Sequence, residues 1–149
     1  MTDTLADPIA HILDHFKTIA VVGLSPKSHR DSYEVAEYMQ KQGYRIVPVN
    51  PAAGVSEILG ETVYPSLIDA AKHEQIDLVD VFRNSPDVPP VVDEAIAIGA
   101  KGVWMQLGIE HADATAKARA AGLQVVQNRC LLIEHRRQSR PSSAVHQTP

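Results

Sequence analysis

The sequence predicts an α/β fold, a doubly wound parallel sheet in a single three-layer domain. Three observations predict it. Short β-branched runs such as Thr18-Ile19-Ala20-Val21-Val22 lack polar alternation, the pattern of strands buried on both faces. Helix-patterned segments stand between these runs in regular alternation, which is the order of a parallel sheet with crossover helices. The connections are short and are punctuated by Gly and Pro.

Taken in order, Asp7 and Pro8 open an amphipathic helix whose face is Ile9, Ile12, Leu13 and Phe16, with Asp7 as its cap. Thr18–Gly23 is the first strand and Leu24–Asp31 a loop broken by Pro26. Ser32 is suited to cap the next helix, with Val35, Ala36 and Met39 as its apolar stripe and Gly43 as its stop. Tyr44–Val49 is the second strand, and Pro48 within it removes one ladder donor, so its neighbour on that side is short or absent. Residues 50–61 read as a loop, and Pro65 and Ser66 precede a short helix to about Lys72. Ile76–Phe82 is the third strand and Val88–Ile98 a helix with Pro89 and Pro90 in its first turn. Gly102–Gln106 is a strand, Ala112–Ala121 an alanine-rich helix stopped by Gly122, and Leu123–Val126 the last strand. From Arg136 the composition turns to Arg, Gln, Ser and Pro, which reads as a disordered tail over 136–149.

The 149 residues fit one domain, and 44% hydrophobic content supplies a core. A net charge of −4 argues against a general nucleic-acid coat, which needs a basic stripe. Cys130 is the only cysteine, so no internal disulfide forms, and a reducing compartment fits. No signal peptide or membrane-spanning run is visible, so a cytoplasmic location without a membrane partner is expected.

In such a sheet the ligand lies beyond the strand C-termini, near a switch point. The residues that follow the strands directly are Gly23–Ser32, Asn50-Pro51, Arg83, Gln106 and Asn128-Arg129-Cys130. In the first crossover, Gly23 permits a sharp turn or close backbone approach, Ser25, Ser28 and Ser32 offer hydroxyls, and Lys27 and Arg30 offer charge. The amides at the start of the next helix complete a phosphate-ready loop. Gly23 stands alone, so there is no G-x-G-x-x-G, and Asn50 occupies the place of the acid that grips a dinucleotide ribose. A nicotinamide ligand is therefore disfavoured, and the absence of a Walker pattern leaves nucleotide hydrolysis unsupported.

The run VVGLSPKSHRDSYEVAEYMQKQGYRIVPVNP resembles the opening of the stand-alone coenzyme A-binding domain proteins of the YccU-like type. The resemblance continues through ILGETVYPSL and VDVFRNSPDVPPVVDEAIAIGAKGVWMQLGI and closes with AGLQVVQNRCLLIEH. This family is similar to the coenzyme A-binding domain of succinyl-CoA synthetase α subunits, a Rossmann-like fold. The resemblance implies a coenzyme A-binding Rossmann-like domain over 1–135. It implies coenzyme A as the ligand and places Gly23, Ser25, Lys27, Arg30 and Ser32 around the ADP phosphates. Asn50 and Pro51 would flank the adenosine part, and Val81, Phe82 and Arg83 would line the next wall. It does not imply ligase activity, since the domain that carries a phosphorylated histidine in the synthetase is not expected here.

The remaining candidates divide between ligand and structural roles. Arg83 is suited to a bidentate phosphate contact, with a salt bridge to Asp87 or Asp80 as the alternative. Gln106 is the better polar contact at its strand end, whereas Trp104 reads as core. Cys130 beside Arg129 is either a reactive thiol or a small packed side chain, the latter favoured. His11 and His15 are one helical turn apart without a third ligand nearby, so no metal site is assigned. Asp77 and Asp80 point to opposite faces of their strand and make no acid–base pair. With no catalytic residues assigned, the expected function is binding of coenzyme A or an acyl-CoA, as a carrier or sensor. The alternatives are a redox or acyl-transfer enzyme using Cys130, an NAD(P)-binding protein, or a module that regulates a protein partner.

Overall fold

A computed structural model describes residues 8–139. Five parallel strands form one sheet in the order β2-β1-β5-β6-β7, where β1 is Thr18–Val22, β2 Arg45–Val49, β5 Leu78–Val81, β6 Gly102–Met105 and β7 Gln124–Val126. A separate antiparallel hairpin pairs β3 (Glu57–Ile58) with β4 (Glu61–Thr62). The helices are α1 (Pro8–His15), α2 (Asp31–Lys41), α3 (Leu67–Ala71), α4 (Val88–Ala97), α5 (Ala112–Ala120) and α6 (Leu131–Ser139). The three-layer α/β architecture predicted from the alternation is the observed one.

Alternate residues of each strand serve two cores, which is why the strands are mostly apolar on both faces, with Asp80 of β5 a buried exception. Ala20 and Val22 of β1 join Val79, Val81, Val103 and Met105 under α3, α4 and α5. Ile19 and Val21 join Leu78, Trp104 and Val126 under α1, α2 and α6, with Ile12, Met39 and Leu131 from the helices and Phe16 just after α1. Trp104 is buried in this second core and donates from Nε1 to the Arg129 carbonyl at 2.8 Å. β2 is the edge strand, where the missing amide of Pro48 is tolerated, and the Pro48 carbonyl accepts from the Tyr64 amide at 3.0 Å.

Several local expectations change. The segment 50–61 is not all loop: Leu59 and Gly60, at φ 56° and 78°, make the two-residue turn of the β3–β4 hairpin. Ser32 does not cap α2. It lies inside the first turn, Arg30 occupies the cap without a side-chain bond, and the Ser32 hydroxyl accepts from the Ser25 amide at 2.9 Å. The composition boundary at 136 is also corrected, because α6 runs through Ser139. Glu134 is buried and pairs with Arg137 one turn on, and the basic last turn suits the negative end of the helix dipole. Asp7 and residues 140–149 lie outside the described residues.

Candidate functional site

The chain leaves β1 for β2 on one side, then returns to β5 on the other, so the crossovers diverge at the C-terminal ends of β1 and β5. This is the switch point of an open α/β sheet, where a crevice opens. The crevice measures about 370 Å³ and is lined by Gly23, Arg30, Ser32, Phe82, Arg83, Asn84 and Ser85, with Asp31, Leu107, Gly108 and Ile109 along its rim.

Gly23 has φ +91°, and a Cβ there would lie 2.3 Å from the Phe82 carbonyl oxygen. Its requirement for glycine is thus met twice within the protein, by the turn and by close contact with the β5 exit. The loop beyond is held by its own polar side chains. Ser25 Oγ accepts from the Lys27 amide at 3.1 Å, and Asn50 Nδ2 donates to the Leu24 carbonyl at 2.9 Å. Asn50 Oδ1 accepts from the Ala52 amide at 2.9 Å. Ser25, Ser32 and Asn50, read as ligand contacts, are therefore also the braces that shape the loop.

The cations behave differently. Arg30 and Arg83 line the crevice, and among the described residues neither guanidinium has a hydrogen bond or ion pair, so the alternative bridge from Arg83 to Asp80 or Asp87 does not form. Lys27 is exposed and does not line the crevice. No side chain caps the head of α2, and its first residues, Asp31 and Ser32, line the same crevice as the two arginines. The arrangement is chemically suited to a phosphate, with Asp31 the one acid on the rim.

Pro51 lines a smaller groove of about 150 Å³ with Val22, Val49, Pro65, Pro90 and Arg83, so Arg83 stands between groove and crevice. Val81 is fully buried in the core and presents no side chain to any of these spaces, which corrects its expected place on the wall. Phe82 does line the crevice. Gln106 is buried rather than a free polar contact. It donates from Nε2 to Asp80 Oδ1 at 2.6 Å, while Asp80 Oδ2 has no partner. Burial pushes the Asp80 carboxyl up to about 7, and the bond from Gln106 opposes that rise.

The β7 exit is also committed to structure. Asn128 adopts φ 59°, a conformation asparagine tolerates, and its Oδ1 accepts from the Gly108 amide at 2.7 Å. Arg129 pairs with Glu134 at 3.7 Å. Cys130, just before α6, is half-buried and packs against the core that holds Val126 of the last strand, while also lining two clefts beside the crevice. His11 and His15 stack at 4.3 Å on α1. His111 caps α5, its Nδ1 accepting from the Ala114 amide at 3.1 Å. Asn84, Ser85, Leu107 and Ile109 were not singled out from the sequence. Their signal was position alone, one to four residues beyond Arg83 or the end of β6. No helix among the described residues is long and apolar enough to cross a membrane.

Residues 17–136 match the CoA binding domain family. The chain is similar to the uncharacterized protein YneT of Bacillus subtilis (strain 168), with 38% identity over 129 residues that cover 85% of this chain and 91% of that one. Among solved structures it is similar to a hypothetical protein from Pyrococcus horikoshii OT3, at 42% identity and TM-score 0.81, covering 87% of this chain and 88% of the other. A Thermus thermophilus protein designated cell-free ID.343 is similar at 37% identity and TM-score 0.81, with 87% and 95% covered. The family match spans the whole sheet and both sides of the switch-point crevice, and the chain belongs to the CoA-binding domain family.

Proposed function

We propose that the protein binds coenzyme A across the switch point, as a carrier or sensor in the cytoplasm. The observation that carries this reading is the pair of guanidiniums, Arg30 and Arg83, that have no partner among the described residues and stand beside the uncapped head of α2 within the family's span. The diphosphate lies against the α2 amides and Arg30. Arg83 takes a phosphate by two parallel N–H bonds, and the adenosine part lies toward Pro51. Ser25, Ser32 and Asn50 hold the loop in the shape this requires. Asn50 at the end of β2 favours coenzyme A over a nicotinamide dinucleotide, whose ribose calls for an acid there.

Calorimetric titration with coenzyme A tests the reading, with NAD as the control. Saturable binding of coenzyme A is expected, with NAD weaker by roughly tenfold or more. Replacing Arg83 by Ala removes a charge-assisted bidentate contact of about 1.5–3 kcal/mol, so affinity falls about 10- to 150-fold. Absence of heat at millimolar coenzyme A, with the protein shown to be folded, overturns the proposal.

A further inference from the structure

A second cleft of about 340 Å³ opens beside the crevice and shares Asp31, Phe82, Leu107 and Ile109 with it. The two spaces are therefore continuous along the strand ends, but their chemistry differs. Arg30, Arg83, Asn84 and Ser85 line the first, whereas Val35, Leu132 and Ile133 are added in the second. Leu107 and Ile133, 59% and 41% exposed, are two of the four exposed large hydrophobic residues among the described residues, and both stand on this cleft. An apolar cleft opening directly from a phosphate-ready crevice fits a ligand that is charged at one end and apolar at the other.

We propose that the second cleft receives the thioester end of a coenzyme A thioester, with the pantetheine arm running along the wall shared with the crevice and the acyl chain beyond it, so that the natural ligand carries an uncharged acyl group of short to medium chain length. The proposal rests on the coenzyme A reading above and names the form of that ligand. Charge narrows the acyl class. Asp31 and Glu34 line the cleft and none of its lining residues is basic. Beyond Ile133, Arg129 and Arg137 are both engaged by Glu134, at 3.7 and 3.1 Å. An acyl group ending in a carboxylate would meet two acids without a free cation, a repulsive element of specificity.

Calorimetry with coenzyme A, butyryl-CoA, hexanoyl-CoA and succinyl-CoA tests the proposal. Each methylene buried in the cleft is expected to tighten binding about fourfold until the cleft is full, the equivalent of about 0.8 kcal/mol. Succinyl-CoA is expected to bind about tenfold more weakly than butyryl-CoA. Ile133→Asp should bring the hexanoyl-to-free-coenzyme A affinity ratio close to one, and Leu107→Ser on the same cleft repeats the test should the first variant fail to fold. Equal affinity for coenzyme A and hexanoyl-CoA overturns the acyl proposal and leaves the coenzyme A reading standing. So does succinyl-CoA binding as tightly as butyryl-CoA, or a dimer in sedimentation whose interface buries Leu107 and Ile133. Failure of every ligand to bind overturns the coenzyme A reading itself.

Discussion

At the scale of single residues, Asp80 shows how a buried acid is accommodated beneath a ligand site. It is fully buried between Val21 and Trp104 in the sheet, with one carboxyl oxygen bonded to Gln106 and the other without a partner. Burial raises its pKa from the usual 3.8 to about 7, so between those values the native state keeps a proton that the unfolded chain has released. The unfolded state then binds fewer protons, and stability falls as pH rises from about 4 to about 7 and levels off above. Urea unfolding over this range should show Asp80 contributing a slope of up to about 1.4 kcal/mol per pH unit, and Asp80→Asn should remove it. Equal pH profiles for the two proteins would show that Asp80 does not titrate differently in the two states. The sequence predicts that Asp77 and Asp80 face opposite ways. It does not show that Gln106, just beyond the end of the next strand, bonds to Asp80, because that pairing depends on the register of β5 with β6.

At the scale of elements, the five long strands were legible because burial on both faces demands unbroken β-branched and apolar runs. The β3–β4 hairpin was not, because its turn uses Leu59 at positive φ in place of the asparagine or aspartate that usually signals such a turn. Leu59 is kept there by packing against the core and by Gln40 Nε2, which donates to its carbonyl at 3.0 Å. The final helix was hidden by charge: Arg136 and Arg137 resemble a solvated tail until Glu134 is placed one turn earlier. The same limit applied to the site. Its location after β1 and β5 followed from strand order, but the division of labour within it did not. Ser25, Ser32, Asn50 and Asn128 spend hydrogen-bonding capacity on the loops, while Arg30 and Arg83 have no partner among the described residues. Asn50 is the clearest brace, since its side chain joins the β2 exit to the β1 loop. Asn50→Ala loses two bonds, worth about 1–2 kcal/mol together. The urea midpoint should fall without a change in the denaturant slope, and coenzyme A affinity should fall with it. A variant as stable as the parent would remove Asn50 from the scaffold.

At the scale of the whole molecule, the described chain is a five-stranded sheet between two helical layers, with a small hairpin beside it and the crevice at one sheet end. A ligand bound there bridges the β1 and β5 exits and favours the folded state by mass action. At 100 times its Kd, coenzyme A should stabilise the native state by about 2.7 kcal/mol and raise Tm by roughly 5–10 °C for a domain of this size. Differential scanning calorimetry at graded coenzyme A concentrations measures this. A Tm independent of ligand concentration, where calorimetric titration has shown binding, would mean that the unfolded chain binds equally well.

The hydrogen bond from Trp104 to the Arg129 carbonyl gives the protein a native optical gauge. Trp104 is the only tryptophan in the sequence, so all indole emission arises from one buried ring. That ring is tied to the backbone immediately before Cys130, which lines the cleft assigned to the acyl group. Occupancy of the cleft can therefore be followed in the unlabelled protein, as a change in the brightness or colour of a single chromophore.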